Sequence, residues 1–168
     1  MLDEQIGFRI IPFEGKQDLE RQVARKLRAY KNELARFIIV RDQDSHPECT
    51  VVKQRLIDLC TQSGKAAHCL VRIACTELES FYLADLRAVG AALGMPDLHR
   101  FQGRRKFRSP DSTQNSYREL RKLTQNTYQK IAGSRAIGEH LSLDNARSPS
   151  FQNLVAAIRR FEEELMRL

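Results

Sequence analysis

The chain has 168 residues, 42% hydrophobic and 29% charged, which is the length and composition of one ordinary soluble domain with a real core. No apolar run approaches the roughly 20 residues that span a bilayer, and Met1-Leu2-Asp3-Glu4-Gln5 has neither the basic nor the apolar region of a signal peptide, so the expectation is a cytoplasmic protein with no membrane partner. Net charge is +7, and it is local: His99 to Lys130 holds nine Lys or Arg against two acids, while the rest balances at nineteen against nineteen.

Ile6 to Phe13 reads as a strand, with Pro12 near its end and Glu14-Gly15 as a turn. Asp18 to Leu34 reads as a helix, because Leu19, Val23, Leu27, Tyr30 and Leu34 fall on one face. Phe37 to Val40, bounded by charge, reads as a buried parallel strand. Pro47 to Gln62 is predicted to be a helix with Val52, Leu56 and Leu59 inward, stopped near Gly64. Cys69 to Ala74 is a third strand. Thr76 to about Leu93 is a third helix with a stripe of Leu78, Phe81, Tyr82, Leu86, Val89 and Leu93, ended by Gly94-Met95-Pro96.

Strand and helix therefore alternate over residues 6–93, which predicts an α/β fold with a mostly parallel sheet, covering helices and right-handed crossovers. Residues 97–112 read as a long irregular excursion. Residues 113–132 suggest a helix closed by Gly133, Ser134 to His140 a short one, and Ser148-Pro149 opens a final helix carrying Phe151, Leu154, Val155, Ile158, Phe161 and Leu165. The expected organisation is an α/β core over 1–96 and a basic loop with a helical C-terminal extension over 97–168, packed together as a single domain.

The chemistry concentrates where strands end. Asp42 and Asp44 follow the apolar run Phe37–Val40, at the carboxyl edge where open α/β sheets bind ligands. Carboxylates at i and i+2 can share a divalent cation such as Mg²⁺. The competing reading makes them turn residues, with Ser45 and Glu48 as a capping box. Past the next strand, Glu77 and Glu79 can approach the aspartates if both strands share a sheet; three such carboxylates would hold Mg²⁺ or Mn²⁺ and favour phosphate chemistry. Here too the alternative is a capping box, Thr76 with Glu79. Lys16 precedes the first predicted helix, where it faces a phosphate or is simply solvated. His46 is the one histidine beside this chemistry. Arg100, Arg104, Arg105, Lys106, Arg108 and Lys130 lie in the basic segment, the footprint of a polyanion such as nucleic acid or of a solvated loop. Low aromatic content argues against a base-stacking platform.

Phe8-Arg-Ile-Ile-Pro-Phe-Glu-Gly-Lys-Gln-Asp-Leu19, Ile38-Ile-Val-Arg-Asp-Gln-Asp44 and Val71-Arg-Ile-Ala-Cys-Thr-Glu-Leu-Glu-Ser-Phe-Tyr-Leu-Ala-Asp85, with Tyr128-Gln-Lys130 and Ser148-Pro-Ser-Phe151, resemble domain-of-unknown-function family 4276. That resemblance implies a Toprim-like fold and Mg²⁺-dependent (or Mn²⁺-dependent) phosphodiester chemistry on nucleic acid. It implies Asp42 and Asp44 as the metal-binding pair and Glu79 as the additional acid, with Glu77 or Asp85 beside it. It further implies a companion ATPase and a role in phage defence. Members usually begin with an earlier strand and a glutamate motif that this sequence does not match, which leaves as the alternative a catalytically incomplete nucleic-acid- or protein-binding module working with the ATPase. The same gap implies a sheet edge that another chain, including a second copy in a homo-oligomer, would cover.

Overall fold

The computed structural model describes residues 3–168. Leu19, Val23 and Leu27, four residues apart, bury one face of helix α1 (Lys16–Ala29), whose last turn carries Lys26 and Arg28 against the negative helix end. Strand β1 (Phe37–Asp42) follows, then α2 (Cys49–Gln62) and strand β2 (Cys69–Ala74). β1 and β2 form a two-stranded parallel sheet covered by helices. Five further helices complete the chain: α3 (Glu79–Leu83), α4 (Leu86–Leu93), α5 (Ser116–Leu123), α6 (Lys130–Gly138) and α7 (Pro149–Leu165).

The chain forms two compact units. The first contains the chain up to Arg41, Glu48–Ile73 and Leu154–Leu168. Its core is Leu19, Val23 and Leu27 of α1, Ile39 of β1, Val52, Leu56 and Cys60 of α2, and Val71 and Ile73 of β2, with Phe13 and Phe37 packed beside them. Arg36 and Glu164 bond at 3.2 Å within this unit.

The second unit contains Asp42–Pro47 and Ala74–Asn153. Phe81, Leu83, Leu86, Val89, Phe107, Leu120, Tyr128, Ile137 and Phe151 are its buried side chains, and the Phe81 and Phe151 rings lie 5.2 Å apart. Ser148 caps α7: its Oγ accepts the Phe151 N–H at 3.1 Å, and Pro149 occupies the first helical position.

Several expectations are corrected. Ile6 to Phe13 is no strand; a strand exists only through pairing, the described sheet has two members, Pro12 offers no N–H, and Phe8 and Ile10 are exposed. The first helix ends at Ala29 rather than Leu34, since Tyr30 turns to extended backbone. The expected Thr76–Leu93 helix is two helices. Asp85 interrupts it, and its carboxylate accepts the Ala88 N–H as the N-cap of α4. The backbone groups freed by the break are met by distant amides. Gln102 accepts from Leu86 N and donates to Leu83 O, and Asn145 donates to Ala84 O. The expected 113–132 helix is likewise two, parted by left-handed Gln125 and Asn126, and Gly133 lies inside α6 rather than after a helix. Residues 97–112 are irregular as expected, yet they form three short 3₁₀ turns that bury Leu98, Phe107 and Pro110.

A candidate acidic site beside a basic segment

β1 ends on Asp42 and β2 on Ala74, and within the second unit Gln43 N–H donates to Ala74 O at 2.9 Å and Asp44 N–H to Thr76 O at 2.7 Å. Both exits turn through left-handed backbone, at Asp44 (φ 57°) and Thr76 (φ 62°). Aspartate tolerates this; for a β-branched threonine it is strain of about 1–3 kcal/mol. Thr76 is held there by its Oγ1, which donates to Thr113 O at 3.0 Å and lies 3.2 Å from Ser116 Oγ. Neither expected capping box forms. Glu48, not Ser45, precedes α2, and Leu78, not Thr76, precedes α3; no side chain caps either helix.

Glu79 instead opens α3 with its side chain buried, 2% exposed. Its Oε1 accepts the Tyr128 hydroxyl at 3.1 Å. Asp42 feels both neighbours. Burial pushes its carboxyl up to about 6, the negative charges of Glu79 and Asp44 push the same way, and the Leu78 N–H and the Lys130 ammonium pull back. The structure therefore gathers Asp42, Asp44 and Glu79 into one electrostatic neighbourhood, with Lys130 as a nearby cation. Lys130 also sits 5.0 Å over the Tyr117 ring.

Among the described residues, no three His, Cys, Asp or Glu side chains close up into a ready-made metal cage. Glu77 accepts the Tyr117 N–H at 2.8 Å. Both oxygens of Asp85 are engaged, Oδ1 by Ala88 N–H and Oδ2 by Ser142 N–H, each at 3.1 Å. Lys16 is the first residue of α1, in the first unit.

The basic segment lines two grooves within the second unit. Arg104, Lys106 and Lys122 with Phe101 line one of about 670 Å³; Arg105, Lys106 and Arg108 with Ser109 and Gln114 line the other, of about 700 Å³. Arg104 stacks on Phe101 at 4.1 Å, Lys106 pairs with Glu119, and Arg100 with Asp97 at 3.0 Å. Neither groove is lined by Asp42, Asp44, Glu77, Glu79 or Asp85.

Sequence reasoning missed the hydroxyls around Glu79. Tyr128 Oη lies 3.0 Å from Ser134 Oγ. The Tyr128-Gln-Lys130 element carried the signal, but the partner of Tyr128 lies 49 residues upstream.

Residues 13–159 match the family described as a domain of unknown function, DUF4276. No curated protein and no solved structure matches the chain. Among the described residues, no helix is long and apolar enough to cross a membrane.

Proposed function

The chain belongs to the DUF4276 family, and from that premise we propose that it is a Mg²⁺- or Mn²⁺-dependent, Toprim-like phosphodiesterase acting on nucleic acid in phage defence. The observation that supports this is the raised carboxyl of Asp42, on which burial and the charges of Glu79 and Asp44 converge. Crowded, half-desolvated carboxylates are what a hard cation relieves, and the donors are all oxygen. Mg²⁺ takes one or two carboxylates plus waters and substrate phosphate, so this donor set fits it without a three-residue cage. Asp42 and Asp44 would hold the ion, with Glu79 as the additional acid beside them, and the ion would neutralise charge on the phosphate and lower the pKa of water. Lys130 adds a positive charge beside Asp42. Glu77 and Asp85, whose carboxylates hold backbone N–H groups, shape the surrounding loops. The arginines of the basic segment attract the phosphate backbone without reading sequence.

Thermal unfolding with and without Mg²⁺ or Mn²⁺ tests the site. An ion at 100 times its dissociation constant stabilises by about 2.7 kcal/mol. The rise is expected in the parent and absent in Asp42→Ala, and metal-dependent cleavage is expected to vanish in an Asp42→Ala, Asp44→Ala double variant. Full cleavage by that variant would overturn the assignment. A second reading, a binding module that works with a partner ATPase, is favoured by the absence of a ready-made cage among the described residues. It expects no metal-induced rise, no cleavage, and nucleic-acid binding that weakens steeply with salt.

A further inference from the structure

Charge carried only for solubility needs no fixed backbone, and connecting segments are by default mobile. The basic stretch between α4 and α5 is built otherwise. Phe107 and Pro110 are fully buried within it, and Leu98 nearly so. The Gln102 amide donates to Leu83 O at 3.0 Å and to Phe107 O at 3.3 Å. Thr113 Oγ1 donates to Lys106 O, and Arg108 Nε to Gly103 O, each at 3.2 Å. Between these anchors Arg104, Arg105, Lys106 and Arg108 are exposed. An irregular but fastened backbone therefore displays a row of cations, and its ordering is met on folding rather than on binding.

The two grooves along this row differ in chemistry. The first has an apolar wall of Met95, Pro96, Leu98, Phe101 and Leu123 beside its cations. The second has no hydrophobic side chain: Ser109, Ser112, Thr113 and Gln114 stand with Arg105 and Arg108. Lys106 and Glu119, an ion pair, line both, so the grooves meet across that pair. The acids here are already engaged, Glu119 by Lys106 and Asp97 by Arg100. Among the described residues, Arg104, Arg105 and Arg108 form no ion pair. Such cations draw an anion, and hydroxyl and amide side chains are the usual further donors to phosphate.

The apolar groove holds the Arg104 guanidinium stacked on the Phe101 ring at 4.1 Å. Aromatic faces and arginine planes are the surfaces on which unstacked bases sit. The chain is poor in aromatic residues, but here the guanidinium supplies a second plane. In a duplex the base faces are hidden in the stack, so an apolar groove joined to a cationic one suits a strand whose bases are free.

We propose that the two grooves form one track for single-stranded nucleic acid: Arg105, Lys106 and Arg108 take the phosphates, and a base sits against the Phe101–Arg104 stack. This rests on the nucleic-acid reading above and draws nothing from the acidic residues.

The test is fluorescence anisotropy on the full chain with a chelator present, across a salt series, with labelled oligothymidylate and with its duplex with oligodeoxyadenylate. The expected result is tighter binding of the single strand, weakening steeply with salt. Arg105→Ala with Arg108→Ala should flatten the log–log salt slope by about 1.4, at about 0.7 per phosphate contact. Phe101→Leu should keep the slope and weaken single-strand binding roughly 5- to 150-fold, the range for one stacked base, with duplex binding unmoved. Arg104→Lys keeps the charge, loses the plane and should shift the same way. Equal affinity for both forms with Phe101→Leu silent overturns the proposal and leaves the nucleic-acid reading standing, as does binding that none of these variants moves. Polyglutamate that displaces the strand at equal charge makes the surface one for acidic protein and overturns it too. No binding of either form at low salt overturns both. Should Phe101→Leu fail to fold, the exposed Arg104→Lys decides by the same criterion.

Discussion

Asp42 is the residue at which the electrostatics of the site are legible. Its carboxyl is raised from 3.8 to about 6, by burial first and then by Glu79 and Asp44. Between those values the folded state binds more protons than the unfolded state, so stability falls as pH rises. The contribution is complete below about pH 4 and lost above about pH 6. Urea unfolding in the presence of a chelator, at pH 5 and pH 7.5, should show Asp42→Asn gaining on the parent at the higher pH, because the amide cannot ionise. Identical pH slopes in the two proteins would contradict the assignment. Thr76 works in the same place by a different means: a β-branched residue in left-handed backbone survives because Thr113 and Ser116 secure its hydroxyl.

Among the elements, the break between α3 and α4 decides how the second unit is built. Without it, the stripe running from Leu78 to Leu93 would continue as one helix. Asp85 holds the break by capping α4 and by accepting the Ser142 N–H. Asp85→Ala is expected to cost about 0.5–2 kcal/mol, the range for loss of an N-cap, read as a lowered urea midpoint with an unchanged slope. This break also marks where sequence reasoning stops. The faces of α1 and α2 could be read from local periodicity and both strands from their apolar runs, although of Phe37–Val40 only Ile39 is buried and Val40 is exposed. The break could not, because the amides that satisfy its backbone come from Gln102 and Asn145. Ile6–Phe13 has a strand's composition, yet being a strand depends on a partner that the described residues do not supply. The same division holds at the site. Asp42, Asp44 and Glu79 could be singled out from sequence because acids after apolar runs mark strand ends. Tyr128 and Ser134 could not, because an aromatic at helical spacing looks the same whether it fills a core or holds a carboxylate.

For the whole molecule, the excess positive charge lies in residues 99–130, within the second unit, together with Asp42, Asp44 and Glu79. The first unit owns the sheet core, and it includes Leu154–Leu168 at the far end of the sequence. The chain passes between the two units four times, after Arg41, Pro47, Ile73 and Asn153. A nick anywhere between Ala74 and Asn153 therefore yields two fragments, each carrying pieces of both units. A protease cut in the exposed stretch around Arg104 should leave a product that elutes as one native species and separates only in denaturant. Two separately expressed halves divided there would be a complementing pair, able to restore the fold only by meeting.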